Sequence, residues 1–158
     1  MPDPDPCRPI YDLDLADVDN PHLQGILADW TQEARSGHPS FEDFDILDYP
    51  ALAPVMVFIE KADNGLIENV TYGGSSIIPM AGKEMAGLKL AEFLPDKEHV
   101  DFLIEKTTQM ARDGQPRYWH ETLYWRDQDH VAFEILGLPF ADSQGENTYA
   151  VFCFNLHT

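Results

Sequence analysis

Cysteine is nearly absent: Cys7 and Cys153 are the two in 158 residues. Two thiols cannot build a disulfide framework or a zinc cluster. Basic residues are scarce too, with 10 Lys and Arg against 28 Asp and Glu, a formal charge of −18. Phosphate recognition needs a basic patch, and here any Lys or Arg sits in a repelling field, so no nucleic-acid partner is expected. Anionic membrane surfaces are disfavoured for the same reason. No apolar run approaches the roughly 18 residues that span a bilayer. The opening Met1-Pro2-Asp3-Pro4-Asp5-Pro6 lacks the basic and apolar regions of a secretory signal. A soluble, cytoplasmic protein is the expectation.

What is present suffices for one core: 44% of residues are hydrophobic and 11% aromatic, in a length that suits a single domain. Residues 1–19 offer too little apolar surface to offset the entropy of ordering them, which predicts a flexible acidic arm with Ile10 and Leu13 as docking points. Asn20-Pro21 supplies an N-cap and a proline at the first helical position. Leu23, Ile26, Leu27, Trp30 and Ala34 follow at helical spacing, so residues 20–37 form an amphipathic helix that stops at Gly37. The remaining 38–158 carry the main domain. Phe41–Ala53 reads as irregular chain, and strands are predicted over Val55–Ile59 and Ile67–Tyr72. Short helical pieces follow, then a long helix from Asp96 to Gly114 with Val100, Leu103, Ile104, Thr107, Met110 and Ala111 on one face. Strands over Arg117–Trp125, Val131–Phe140 and Thr148–Leu156 complete the chain.

That order implies an α+β fold with an antiparallel sheet. Several strands are apolar on both parities, as in Phe58 beside Ile59 and Val151 beside Phe152, so both sheet faces must be covered. The arrangement resembles the PAS (Per-Arnt-Sim) sensory fold, a five-stranded antiparallel sheet with short central helices and one long helix over one face. Trp30, Arg35, Gly37, Pro39, Asp43-Phe44-Asp45 and Leu52, then Tyr72, Gly74-Ser75, Gly82, Met85, Gly87 and Leu90-Ala91-Glu92, resemble stand-alone PAS-like proteins typical of alphaproteobacteria. The resemblance covers roughly residues 23–156. It implies a non-catalytic sensory module that binds a small molecule, a protein partner or both.

Gly73-Gly74-Ser75-Ser76 lacks the lysine of a phosphate-binding loop and reads as a tight strand-to-helix turn. His99 opens the long helix, where some haem-binding PAS domains hold iron, but its Lys-Glu-His-Val setting reads as exposed, so no cofactor is expected. The cysteine that flavin photochemistry of light-sensing PAS domains requires is missing from the central helices. Pairing the strands places His120 near Ile135, and Glu121 opposite Glu134 as a carboxylate pair. With His120, that pair sustains an alternative reading as a small enzyme using acid–base chemistry. By the PAS resemblance a small apolar or aromatic ligand would sit between sheet and helices, lined by Phe58, Tyr72, Ser75, Met80, Met85, Leu103, Trp119, Phe133 and Phe152. Phe58, Phe133 and Phe152 could equally fill that space. The stripe around Trp30 needs cover, which predicts a homodimer or protein-partner contact through this helix, with packing on its own sheet as the alternative.

Overall fold

The computed structural model describes residues 10–93, 97–123 and 131–156. A short strand β1 (Ile10–Leu13) precedes helix α1 (Pro21–Ala34), and three single turns of 3-10 helix lead into β2 (Met56–Lys61) and β3 (Ile67–Gly73). Two one-turn helices, α2 (Ile78–Ala81) and α3 (Leu90–Phe93), come before the long α4 (Lys97–Asp113). Strands β4 (Arg117–Leu123), β5 (Val131–Ala141) and β6 (Asn147–Leu156) close the chain. One antiparallel sheet results, in the order β1-β4-β5-β6-β2-β3.

Local chemistry explains the helix ends. The Asn20 side chain accepts from the amides of His22 at 2.9 Å and Leu23 at 3.2 Å, which satisfies two donors that the first turn leaves open. Pro21 follows at the first helical position. At the far end of α4, Gly114 turns the chain with φ +66°, a conformation that side chains with a Cβ avoid.

Two apolar layers cover the sheet. On the inner face Leu103 and Met110 of α4, with Met85 and Leu90, pack on Val57, Ile59, Trp119, Phe133, Ile135 and Phe152. On the outer face Leu23, Ile26 and Trp30 of α1 pack on Met56, Tyr118, Leu136, Leu138, Phe140, Val151 and Cys153. Trp30 is anchored by its indole N–H, which donates to the Pro139 carbonyl at 2.7 Å. The stripe expected to need a cover therefore finds it in its own sheet, and Trp30 is not offered to a second copy.

Two expectations need correcting. The arm predicted over residues 1–19 holds a sixth strand: Ile10–Leu13 pairs with Glu121–Tyr118 at the edge of β4, and Val18 is buried. Ladder bonds to a pre-formed edge, invisible in the local sequence, supply what the segment's own composition lacks. The β4–β5 register is one residue away from that expected, with His120 opposite Glu134 and Glu121 opposite Phe133. Since side chains alternate along a strand, Glu121 and Glu134 face opposite sides of the sheet and form no pair.

Candidate functional site

Inward-facing positions of β2, β4, β5 and β6 line the space under α4. The Trp119 and Phe152 rings meet edge to face at 5.4 Å, and Phe102 meets Trp119 at 6.1 Å. A Cβ on Gly137 would stand 3.1 Å from both Met110 Cε and Trp119 Cζ3, and one on Gly73 only 2.6 Å from Met85 Cγ. Met85, Leu103, Trp119, Phe133 and Phe152 are thus brought together in one apolar layer, and among the described residues they pack between helix and sheet at contact distance.

The other expected lining residues are elsewhere. Phe58 and Tyr72 lie on the outer face, their rings 4.9 Å apart, and Phe58 packs edge to face on Phe41 and Phe44 at 5.5 Å each. The Tyr72 hydroxyl donates to the Ala53 carbonyl at 2.7 Å. A bulge decides this: Ile59 pairs with Val70 and Phe58 with Tyr72, so the unpaired Thr71 turns Tyr72 to the face opposite Val70. Ser75 is exposed in the turn after β3, and the side chain of Met80 lies outside the described residues. In that turn the Gly74 amide donates to the Met56 carbonyl and the Ser76 amide to the Pro54 carbonyl. A Cβ on Gly74 would meet the Pro54 carbonyl oxygen at 2.3 Å. Close backbone approach, not anion binding, accounts for that glycine.

Polar chemistry gathers where α4 crosses β4 and β1. His99 is 0% exposed, which overturns the expectation of a surface histidine. Its Nδ1 stands 3.7 Å from Glu121 Oε2, and Glu121 Oε1 accepts from the Trp119 indole N–H at 2.9 Å. Haem does not fit there, since the imidazole faces a buried carboxylate and the adjoining layer is occupied by Trp119. Two turns along α4, the Lys106 ammonium sits 2.7 Å from Asp12 Oδ1, 3.4 Å from Gln109 Oε1 and 4.9 Å from the Phe102 ring centroid. Sequence reading missed His99, Lys106 and Glu121 as interior residues. The signal for the helix pair was available: His99, Leu103, Lys106 and Met110 recur at the three- and four-residue spacing of one helix face.

His120 belongs to the other side of the sheet, its Nε2 3.0 Å from Thr122 Oγ1 and its ring stacked on Tyr11 at 4.7 Å. The acid–base trio of His120, Glu121 and Glu134 therefore never converges. Cys153 is fully buried, and burial pushes its thiol far up, leaving it unreactive. His130, Trp125 and Cys7 lie outside the described residues.

Solved structures of similar shape include a light-oxygen-voltage domain studied with a flavin analogue, at a TM-score of 0.53 and 13% identity, covering 73% of this chain and 87% of that one. The Vibrio cholerae VqmA dimer, described with LuxR-type receptors, gives a TM-score of 0.53 and 15% identity over 73% of this chain and 52% of its own. The PAS domain of a Colwellia psychrerythraea protein is similar at a TM-score of 0.47 and 12% identity, over 72% and 98% of the two chains. The chain has the PAS fold, at the level of similarity it shares with the light-oxygen-voltage domain. No family model and no curated protein matches its sequence.

Within this PAS fold, β2 to β6 supply the expected five strands and β1 is added at the β4 edge. The buried polar seam lies beneath that added strand, because Ile10 pairs with Glu121 and Asp12 meets Lys106. Among the described residues no helix is long and apolar enough to cross a membrane.

Proposed function

We propose that this PAS domain is a cytoplasmic signalling module without catalysis of its own, acting through contacts with another protein. The filled inner layer carries the reading. Among the described residues Trp119, Phe133, Phe152, Met85 and Met110 pack into the concavity where a small molecule would sit, which favours the surface as the place that transmits a signal. A second reading, a small apolar or aromatic ligand in that layer, is favoured by two features. Met85 and Met110 are adaptable fillers that can make way, and the buried His99–Glu121 pair adjoins Trp119 as a polar anchor.

Native mass spectrometry of freshly purified protein separates the two. The first reading expects the 17.9 kDa chain without a retained small molecule, and a melting temperature unmoved by a panel of aromatic metabolites. A co-purifying compound, or a melting temperature raised by one member of the panel, would overturn it in favour of the second.

A further inference from the structure

β1 is a short occupant of a site built in detail. It spans four residues, of which Ile10 is buried, Tyr11 and Leu13 are half-buried and Asp12 is exposed. Every one of its side chains is nevertheless met. Ile10 enters the inner core with Leu103 and Trp119, and Asp12 on the same side reaches the Lys106 ammonium. On the outer side Tyr11 stacks on His120, and Leu13 packs against the outer core. Lys106 is decisive, because its side chain is only 7% exposed and an ammonium so enclosed requires a carboxylate partner. With β1 absent, β4 would present open backbone donors and acceptors beside a Lys106 ammonium deprived of its Asp12 partner. An edge of that kind recruits an extended chain.

We infer that the β4 edge and Lys106 form a docking site for an extended segment of a partner protein, and that residues 10–13 hold this site in the partner's absence. The segment runs antiparallel to β4 and carries an apolar residue, an acidic residue two positions later and an apolar residue after that. This inference names the partner chemistry for the signalling reading above and rests on it. Charge selects a foreign segment over a second copy. Exchange of Ile10–Leu13 between two copies brings two molecules of charge −18 together. A partner segment needs only one carboxylate, for Lys106, whereas the cis segment brings Asp12, Asp14, Asp17 and Asp19 into the same negative field.

The probe is a fluorescein-labelled peptide, Pro-Ile-Tyr-Asp-Leu-Ser, followed by anisotropy against two forms of the full chain. One is the natural sequence and the other carries Ile10→Asn with Asp12→Asn, which releases β1. The released form is expected to bind at least ~10-fold more tightly, since a tethered competitor acts at a millimolar-scale effective concentration. Asn in place of the peptide's Asp weakens binding about tenfold, the loss expected when one member of a close ion pair is removed. Adding Lys106→Met to the released form abolishes that difference. A released form that keeps its native circular dichroism and binds no peptide, or binds Asp and Asn peptides equally, overturns the inference. Should release prevent folding, hydrogen exchange of the natural chain decides. Amides of residues 118–121 that open before those of β5 and β6 support a displaceable β1, and opening only with global unfolding refutes it. A concentration-dependent dimer that release abolishes would give the edge to a second copy and overturn the partner assignment. A retained small molecule in the mass spectrum counts against the signalling-by-contact reading while leaving the peptide measurements unchanged.

Discussion

Tyr118 is a buried phenol near the start of β4, on the outer face of the sheet. Burial, reinforced by the negative charges of Glu134, Asp19 and Asp17, pushes its pKa up to about 12. An unfolded tyrosine titrates near ~10. Below that value both states keep the proton and the group adds nothing to the pH dependence. As pH rises from there to about 12, the unfolded chain releases its proton first, so stability falls over that window. Urea midpoints measured on both sides of it should decline for the natural chain and decline less for Tyr118→Phe. Equal slopes would show that Tyr118 does not hold its proton in the fold. Tyr49 shifts in the same direction, through burial and then its hydrogen bond to Asp29, so part of the decline survives the substitution. At this scale the sequence was an uneven guide. Trp119, Phe133 and Phe152, expected on the inner layer through the PAS resemblance rather than through alternation, were legible as inner residues. Phe58 and Tyr72 were not, because β2 is apolar on both parities and the Thr71 bulge resets the alternation in β3.

Elements with local signals were readable and those sustained by distant partners were not. α1 has a capping asparagine, a proline at its first position and a stripe at helical spacing, all contained in its own residues. β1 has none of these. Its four residues belong to an acidic stretch and become a strand through the edge of β4, more than a hundred residues away in the chain. A single hydrogen bond tests how firmly α1 is held. The Trp30 indole donates to Pro139, whose carbonyl lies in a buried stretch of β5. Trp30→Phe keeps most of the apolar contact and strips the carbonyl of that donor, so a loss of about 1–3 kcal/mol in denaturant stability is expected. A loss under ~0.5 kcal/mol, the range of an ordinary surface change, would mean that apolar packing alone seats the helix.

For the whole molecule, the PAS architecture was legible because element order is a coarse property that survives errors of a few residues. Two apolar layers also follow from strands with no polar face. The polar seam was not legible, since it depends on which α4 residues meet β4 and on a strand that composition argued against. Net charge acts at this same scale. With −18 spread over 158 residues, folding gathers like charges that the unfolded chain keeps apart, and the compact state is weakened by self-repulsion. Screening reaches about 30 Å at 0.01 M salt and about 8 Å at 0.15 M, so most pairs across the domain stop interacting between those concentrations. The melting temperature should therefore rise as sodium chloride is added from low ionic strength, and the rise should level off near the physiological value. Attractive surface pairs such as Lys97 with Asp101 are screened as well, but acidic residues outnumber basic ones by 28 to 10, so repulsion dominates the sum. Tetramethylammonium chloride at equal ionic strength separates screening from sodium binding to a carboxylate cluster, because the bulky cation screens without coordinating. The same rise with both salts is the outcome expected of self-repulsion. A melting temperature that stays flat or falls in sodium chloride would show that local pairs outweigh the excess charge in this fold.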